Sequence, residues 1–207
     1  HLYRVGMISI TKLAVGQYDN DSYVVSCTDT SSAVVIDAAA EADRILAACQ
    51  GLDVSAVLTT HGHLDHIGAL DAVKDALGVP WWMHPADVDI AERSPDEGFA
   101  GGEEIVVGRL ALHVVHTPGH TPGSVSFVFE PEDQSEVHVL FSGDTLFPGG
   151  PGATRWDYSS FGQIMDSLEK ELFPRLPDET VVHPGHGPST TIGDERPHLG
   201  EWRERGW

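Results

Sequence analysis

Basic side chains are scarce in this sequence. Only 12 lysines and arginines stand against 32 aspartates and glutamates in 207 residues, a formal net charge of −20. A field of that sign repels phosphate backbones and anionic headgroups, so neither nucleic acid nor a membrane surface is an expected partner. Most of the acidic excess reads as a solvated surface that aids solubility. Cysteine is scarcer still. Cys27 and Cys49 fall in stretches that read as a strand and a helix, which suits reduced, inert thiols and gives no sign of a disulfide framework. No stretch reaches the ~18 apolar residues of a membrane span, and no charged-then-apolar leader opens the chain. The expectation is a soluble cytoplasmic protein, with His1 read as a tag remnant. Composition leaves the oligomeric state open.

Apolar residues are not lacking. At 41% hydrophobic, the chain can bury a core, and no linker or repeat divides it, so one domain over residues 1–207 is expected. Strands are read over 5–15, 23–27, 33–37, 54–59, 79–84, 104–107, 110–115, 125–129, 137–141 and 180–182. Helices are read over 41–50, stopped by Gly51, over about 65–77, stopped by Gly78, and through Phe161, Ile164, Met165, Leu168 and Leu172. Many strands with helices between them, in two similar halves, suggest an α/β protein with two sheets face to face and helices outside.

The segment Thr59-Thr60-His61-Gly62-His63-Leu64-Asp65-His66 puts three histidines and one aspartate within six residues. Imidazole adds little to a core, and neighbouring imidazoles repel once charged, so packing alone gives no reason for the cluster. A bound cation does. Three further residues of metal-binding type lie just past strands and beside glycine: His120, Asp144 and His186. Loops at strand ends can converge on one edge of a sandwich, and glycine allows the tight turns that aim such side chains. Taken singly, Asp65 reads as a helix N-cap, His66 as a helix-surface residue, His120 and His186 as turn residues, and Asp144 as an Asx-turn residue. Together they are better explained by a metal site. His84, His116 and His183 read as structural, with His116 also a candidate to orient a ligand.

These segments resemble the metallo-β-lactamase-fold hydrolases, and within them the glyoxalase II-like thioesterases of short bacterial type. The resemblance runs from about Tyr18 to His186 through His-X-His-X-Asp-His at 61–66, HTPGHTPGS at 116–124, FSGDTLF at 141–147 and PGHG at 184–187. It implies an αββα four-layer sandwich with two metal sites. His61, His63 and His120 would hold one metal, Asp65, His66 and His186 the other, and Asp144 would bridge them. Five imidazoles and two carboxylates without a thiolate suit two divalent transition-metal ions, zinc first, with iron and manganese open. Such a pair can share a water, lower its pKa towards ~7 and present hydroxide to a polarised carbonyl. Asp65 and Asp144 are therefore the expected catalytic carboxylates.

The implied substrate is a small-molecule thioester, an S-acyl conjugate of a small thiol of the S-lactoylglutathione kind. The glutathione-binding residues usual in that branch are not matched after Asp144 and His186, so mycothiol or bacillithiol conjugates stand beside it. Arg155 and Tyr158 are the candidates for substrate contact. Three alternatives remain: a persulfide dioxygenase with one iron on His61, His120 and Asp144, another esterase or lactonase of the same fold, and a non-catalytic metal-stabilised domain.

Overall fold

The computed structural model describes residues 1–131 and 136–207, except for the side chain of Val5. Strands β1 (Leu2–Val5), β2 (Ile8–Val15), β3 (Asn20–Cys27), β4 (Ser32–Ile36), β5 (Asp53–Leu58), β6 (Trp81–Met83) and β7 (Glu97–Gly98) lie side by side in sequence order as one sheet. Strands β8 (Glu104–Val107), β9 (Leu110–His116), β10 (Val125–Phe129) and β11 (Val139–Gly143) belong to the second. After a small ribbon of β12 (Leu146–Phe147) and β13 (Gly150–Pro151), β14 (Val181–Pro184) and β15 (Thr190–Thr191) complete that sheet in the order β15-β14-β11-β10-β9-β8. The helices are α1 (Ala42–Ala48), α2 (Leu70–Leu77), α3 (Val88–Ala91), α4 (Phe161–Asp166), α5 (Ile192–Glu195) and α6 (Leu199–Arg205).

Alternation along the strands decides the layering, because successive side chains leave a sheet on opposite faces. In β3, Tyr23, Val25 and Cys27 point into a core shared with Leu112, Val114, Phe127 and Phe141 of the other sheet. Val24 points the opposite way and packs with Val35, Val57, Ile45 of α1 and Leu70 and Val73 of α2. The second sheet repeats the scheme, with Val128, Leu140 and Val182 turned outward onto Ile164, Leu168, Leu172 and Trp202. Three cores separate four layers, the αββα order expected from the resemblance. Phe127 and Phe141 are both essentially buried, so truncating either to alanine should cost about 3–5 kcal/mol.

Local chemistry moved several boundaries. Residues 5–15 are not one strand: Gly6, with φ of 53°, turns the chain between β1 and β2. Helix α2 starts at Leu70 rather than Asp65, and a separate 3₁₀ turn covers Leu64–His66. Helix α4 continues as a π-helical stretch over Ser167–Leu172. Cys27 and Cys49 are free and buried. Among the described residues no helix is long and apolar enough to cross a membrane.

Candidate metal centre

Strands β5, β9, β11 and β14 all deliver the chain, at their C-terminal ends, to one edge of the sandwich. The loops behind them are tied together, with Val125 N–H donating to Thr60 O at 2.8 Å across the two sheets and Gly185 N–H to Gly143 O at 2.8 Å within the second. Seven side chains meet there. His61 Nε2 and His120 Nε2 each lie 3.1 Å from His63 Nδ1. On the other side His66 Nε2 lies 3.1 Å from His186 Nε2, and Asp65 Oδ2 lies 3.7 and 3.5 Å from those two nitrogens. Asp144 stands between the groups. Its Oδ1 is 3.5 Å from His66 Nε2, and its Oδ2 is 3.5 Å from His120 Nε2 and 3.4 Å from His186 Nε2.

The outer ring nitrogens decide what faces inward. His120 Nδ1 donates to Ala153 O at 2.7 Å, His186 Nδ1 to Tyr18 O at 2.9 Å, and His66 Nδ1 to Asp37 Oδ2 at 3.0 Å. Thr60 Oγ1 gives its proton to Asp37 at 2.7 Å, so it accepts from His61 Nδ1 at 3.0 Å. His63 is turned round, with Nε2 on the Tyr158 hydroxyl at 2.8 Å and Nδ1 inward. Such outer partners lock tautomer and ring orientation. The inward nitrogens are then lone pairs at about 3 Å from one another, which repel unless a proton or a cation lies among them. Asp144 Oδ1 is buried without a hydrogen-bond partner, and a Cβ on Gly185 would fall 2.1 Å from it. Only glycine lets the PGHG loop approach so closely. The donor set, the orphaned oxygen and the glycine cradle together fit a bound cation.

Electrostatics divides the cluster in two. Burial pushes His61 and His120 down, and His63 to about 4. Burial also disfavours a charge on His66, but Asp144, Asp37 and Asp65 outweigh it and raise the residue to about 9. His186 is likewise raised against its burial, chiefly by Asp144. Asp144 itself would be raised by burial, yet His66, His186 and His61 hold it well below the usual carboxylate range.

Asp65 is no N-cap. The cap position of α2 is Ala69, and Asp65 instead accepts from Asn20 Nδ2 at 2.9 Å. Arg155 lines a cavity of about 630 Å³ over the cluster, walled also by Tyr18, Leu64, Phe147 and Trp156. Its guanidinium lies 4.7 Å over the Trp156 ring. Tyr158 spends its hydroxyl on His63 and does not line that cavity. His116 donates to Pro122 O at 2.9 Å and stacks on His84, touching none of the seven. A second cavity of about 610 Å³, between β9 and α4, includes none of the seven either. Sequence reasoning missed Asn20, Asp37 and Tyr18. Asp37 had a signal: like Asp144, it directly follows a buried strand, with φ of 56°.

A sheet sandwich whose strand ends gather five imidazoles and two carboxylates is the architecture of a metal-dependent hydrolase. Residues 15–186 match the profile of the metallo-beta-lactamase superfamily, and the chain belongs to that superfamily. It is 32% identical to hydroxyacylglutathione hydrolase GloC of Haemophilus influenzae over 81% of this chain and 86% of that one. Among solved structures, it resembles the BLEG-1 B3 metallo-beta-lactamase, with a TM-score of 0.79 and 32% identity over 92% of this chain and 97% of the other. It also resembles TTHA1623 in a di-iron-bound form, with a TM-score of 0.76 and 33% identity over 90% and 96%. ETHE1 from Myxococcus xanthus superposes with a TM-score of 0.78 and 31% identity over 92% and 82%.

Proposed function

We propose that this chain is a binuclear, metal-dependent thioesterase of the glyoxalase II type that cleaves the S-acyl conjugate of a small thiol. One observation carries the reading: a buried carboxylate, Asp144, reaches nitrogens of both histidine groups while one of its oxygens has no protein partner. His61, His63 and His120 would hold one divalent transition metal and Asp65, His66 and His186 the other, with Asp144 between. The di-iron form of TTHA1623 supports two metals, and the oxygen and nitrogen donors suit zinc, iron or manganese. When bound, such a pair lowers the pKa of a shared water towards ~7 and polarises an acyl carbonyl.

The chain's own residues supply the rest. Asp65 and Asp144 balance the positive charge that the site is built to accept. Tyr18, Leu64, Phe147 and Trp156 give the substrate an apolar wall and exclude water, and Arg155, the basic side chain lining the cavity, meets an anionic group of the thiol moiety. Tyr158 keeps His63 turned with Nδ1 inward. The likeness to GloC supports a thioester substrate, and two free, buried cysteines suit a reducing, cytoplasmic setting.

Metal content per chain, measured beside hydrolysis of S-lactoyl and S-formyl conjugates of glutathione, mycothiol and bacillithiol, tests this. The expected result is close to two transition metals and thioester cleavage that chelation abolishes. A lactone or β-lactam turned over while every thioester is left intact would overturn the substrate class. The second reading, oxidation of a persulfide at one iron on His61, His120 and Asp144, draws support from the likeness to ETHE1. One iron per chain with oxygen uptake on a persulfide would establish it instead.

A further inference from the structure

We infer that Asp87 is a positioning residue that sets the geometry of the three-histidine group by clamping the two loops that carry it; the inference rests on the metal reading above. Asp87 ends the 3₁₀ turn Pro85–Asp87 behind β6 and is fully buried. Its Oδ2 accepts from Gly62 N–H at 2.8 Å and from Thr121 Oγ1–H at 2.6 Å, and its Oδ1 accepts from Gly123 N–H at 2.6 Å. Gly62 is the residue between His61 and His63, and Thr121 directly follows His120. One carboxylate therefore touches the backbone or the immediate neighbour of every member of that group.

The bland explanation for Asp87 is an N-cap, since α3 starts at Val88. It fails, because the side chain makes no capping bond. The space around it argues the same way. A Cβ on Gly62 would fall 2.8 Å from Asp87 O and 2.9 Å from Asp87 Cβ, and a Cβ on Gly123 would fall 2.6 Å from Asp87 Oδ1. Glycines in two loops about 60 residues apart are both seats for this one side chain. Three donors offset the cost of burying its carboxylate. All three come from the loops of the three-histidine group. Asp87 reaches no member of the other group, whose supports are Asn20 on Asp65, the Tyr18 carbonyl on His186 and Asp37 on His66, Asp37 also reaching His61 through Thr60.

Asparagine has the same shape as aspartate but replaces one acceptor with a donor, so Asp87→Asn sets an N–H against an N–H or O–H at one loop. Thr121→Val removes one donor and spares the backbone bonds. Metal-free protein should be titrated with cadmium and followed by cadmium NMR, with the three-histidine resonance assigned by its absence in His63→Ala. The expected result is two resonances in the wild type. In Asp87→Asn the three-histidine site should weaken 10–100-fold, as is typical when a ligand loses its supporting partner, with a smaller loss in Thr121→Val and the mixed site unchanged. A merely structural role would loosen both sites alike or neither. Equal weakening of the two sites, or unchanged affinity in both variants, overturns the clamp and leaves the metal reading standing. If Asp87→Asn fails to fold, Thr121→Val decides alone. A wild-type chain that takes up no cadmium at the three histidines overturns the clamp and the metal reading together.

Discussion

The two halves of the cluster are built by opposite means. His61, His63 and His120 come from two loops, carry no carboxylate of their own and are driven down by burial, so at neutral pH they present lone pairs. His66 and His186 share their half with Asp65 and are driven up by carboxylates. Exposure does not follow that division: His61 and His66, one from each half, are both at 0%, whereas the side chains of Asp65 and His186 are at 33% and 24%. The rings of the first half are oriented by Thr60, Tyr158 and the Ala153 carbonyl, and its two loops are drawn together by Asp87. The second depends on residues that precede β5, namely Tyr18, Asn20 and Asp37, reaching it when the sheets close. A donor set can thus be readied for a cation by dehydration or by surrounding charge, and this fold does one on each side of Asp144.

The largest expected effect comes from the residue the two halves share. Asp144→Asn keeps the shape and removes a charge that both groups face, so kcat on the best thioester should fall ~10²-fold or more, about 2.7 kcal/mol of transition-state stabilisation, with little change in KM. Asp65→Asn should release metal from its own half only. Both metals retained with near-normal turnover in Asp144→Asn would show that this carboxylate does not join the halves.

A smaller effect is expected from acid, and it enters beneath the second half. His183 lies under the strand end that carries His186, packed among Tyr3, Tyr23 and Phe141, and burial pushes it down to about 4. Below about 6.5 the unfolded chain binds a proton here that the folded chain refuses until about 4. Its contribution is therefore intact above pH 6.5 and is lost as pH falls, by roughly 2 kcal/mol at pH 5. Urea midpoints of metal-free protein from pH 7 to pH 5 measure it, and His183→Gln should flatten the slope. An identical slope in the variant would trace the acid sensitivity elsewhere.

Arg155→Ala should do least. The side chain is exposed and already stacked on Trp156, so losing it should raise KM a few-fold and leave kcat nearly unchanged. A fall in kcat with unaltered KM would move Arg155 from the cavity wall into the chemistry.

Much of the site was legible in the sequence because its members are of unusual chemistry and fall in recognisable local settings. Three histidines and an aspartate within six residues have no use in a core, and His120, Asp144 and His186 each stand behind an apolar run and beside a glycine. Strand periodicity likewise located most of β2 to β5 and β8 to β11. The N-cap reading of Asp65 and the unbroken strand over 5–15 were local inferences that local chemistry answered differently, through the 3₁₀ turn at Leu64–His66 and the turn at Gly6.

The sequence by itself determined which atoms are available to a cation and that four strand ends would present them. Residue type and hydrophobic period are properties of short segments, readable without the fold. Tertiary structure alone decided which nitrogen of each ring faces inward, that Tyr158 serves His63 rather than the cavity, and that Asp37 and Asp87 support a site whose motifs do not contain them. Apart from the contact of His61 with neighbouring Thr60, those outcomes rest on hydrogen bonds between residues 23 to 168 positions apart. Such pairs have no periodicity to betray them, and they form only when the shared apolar core brings the two sheets together.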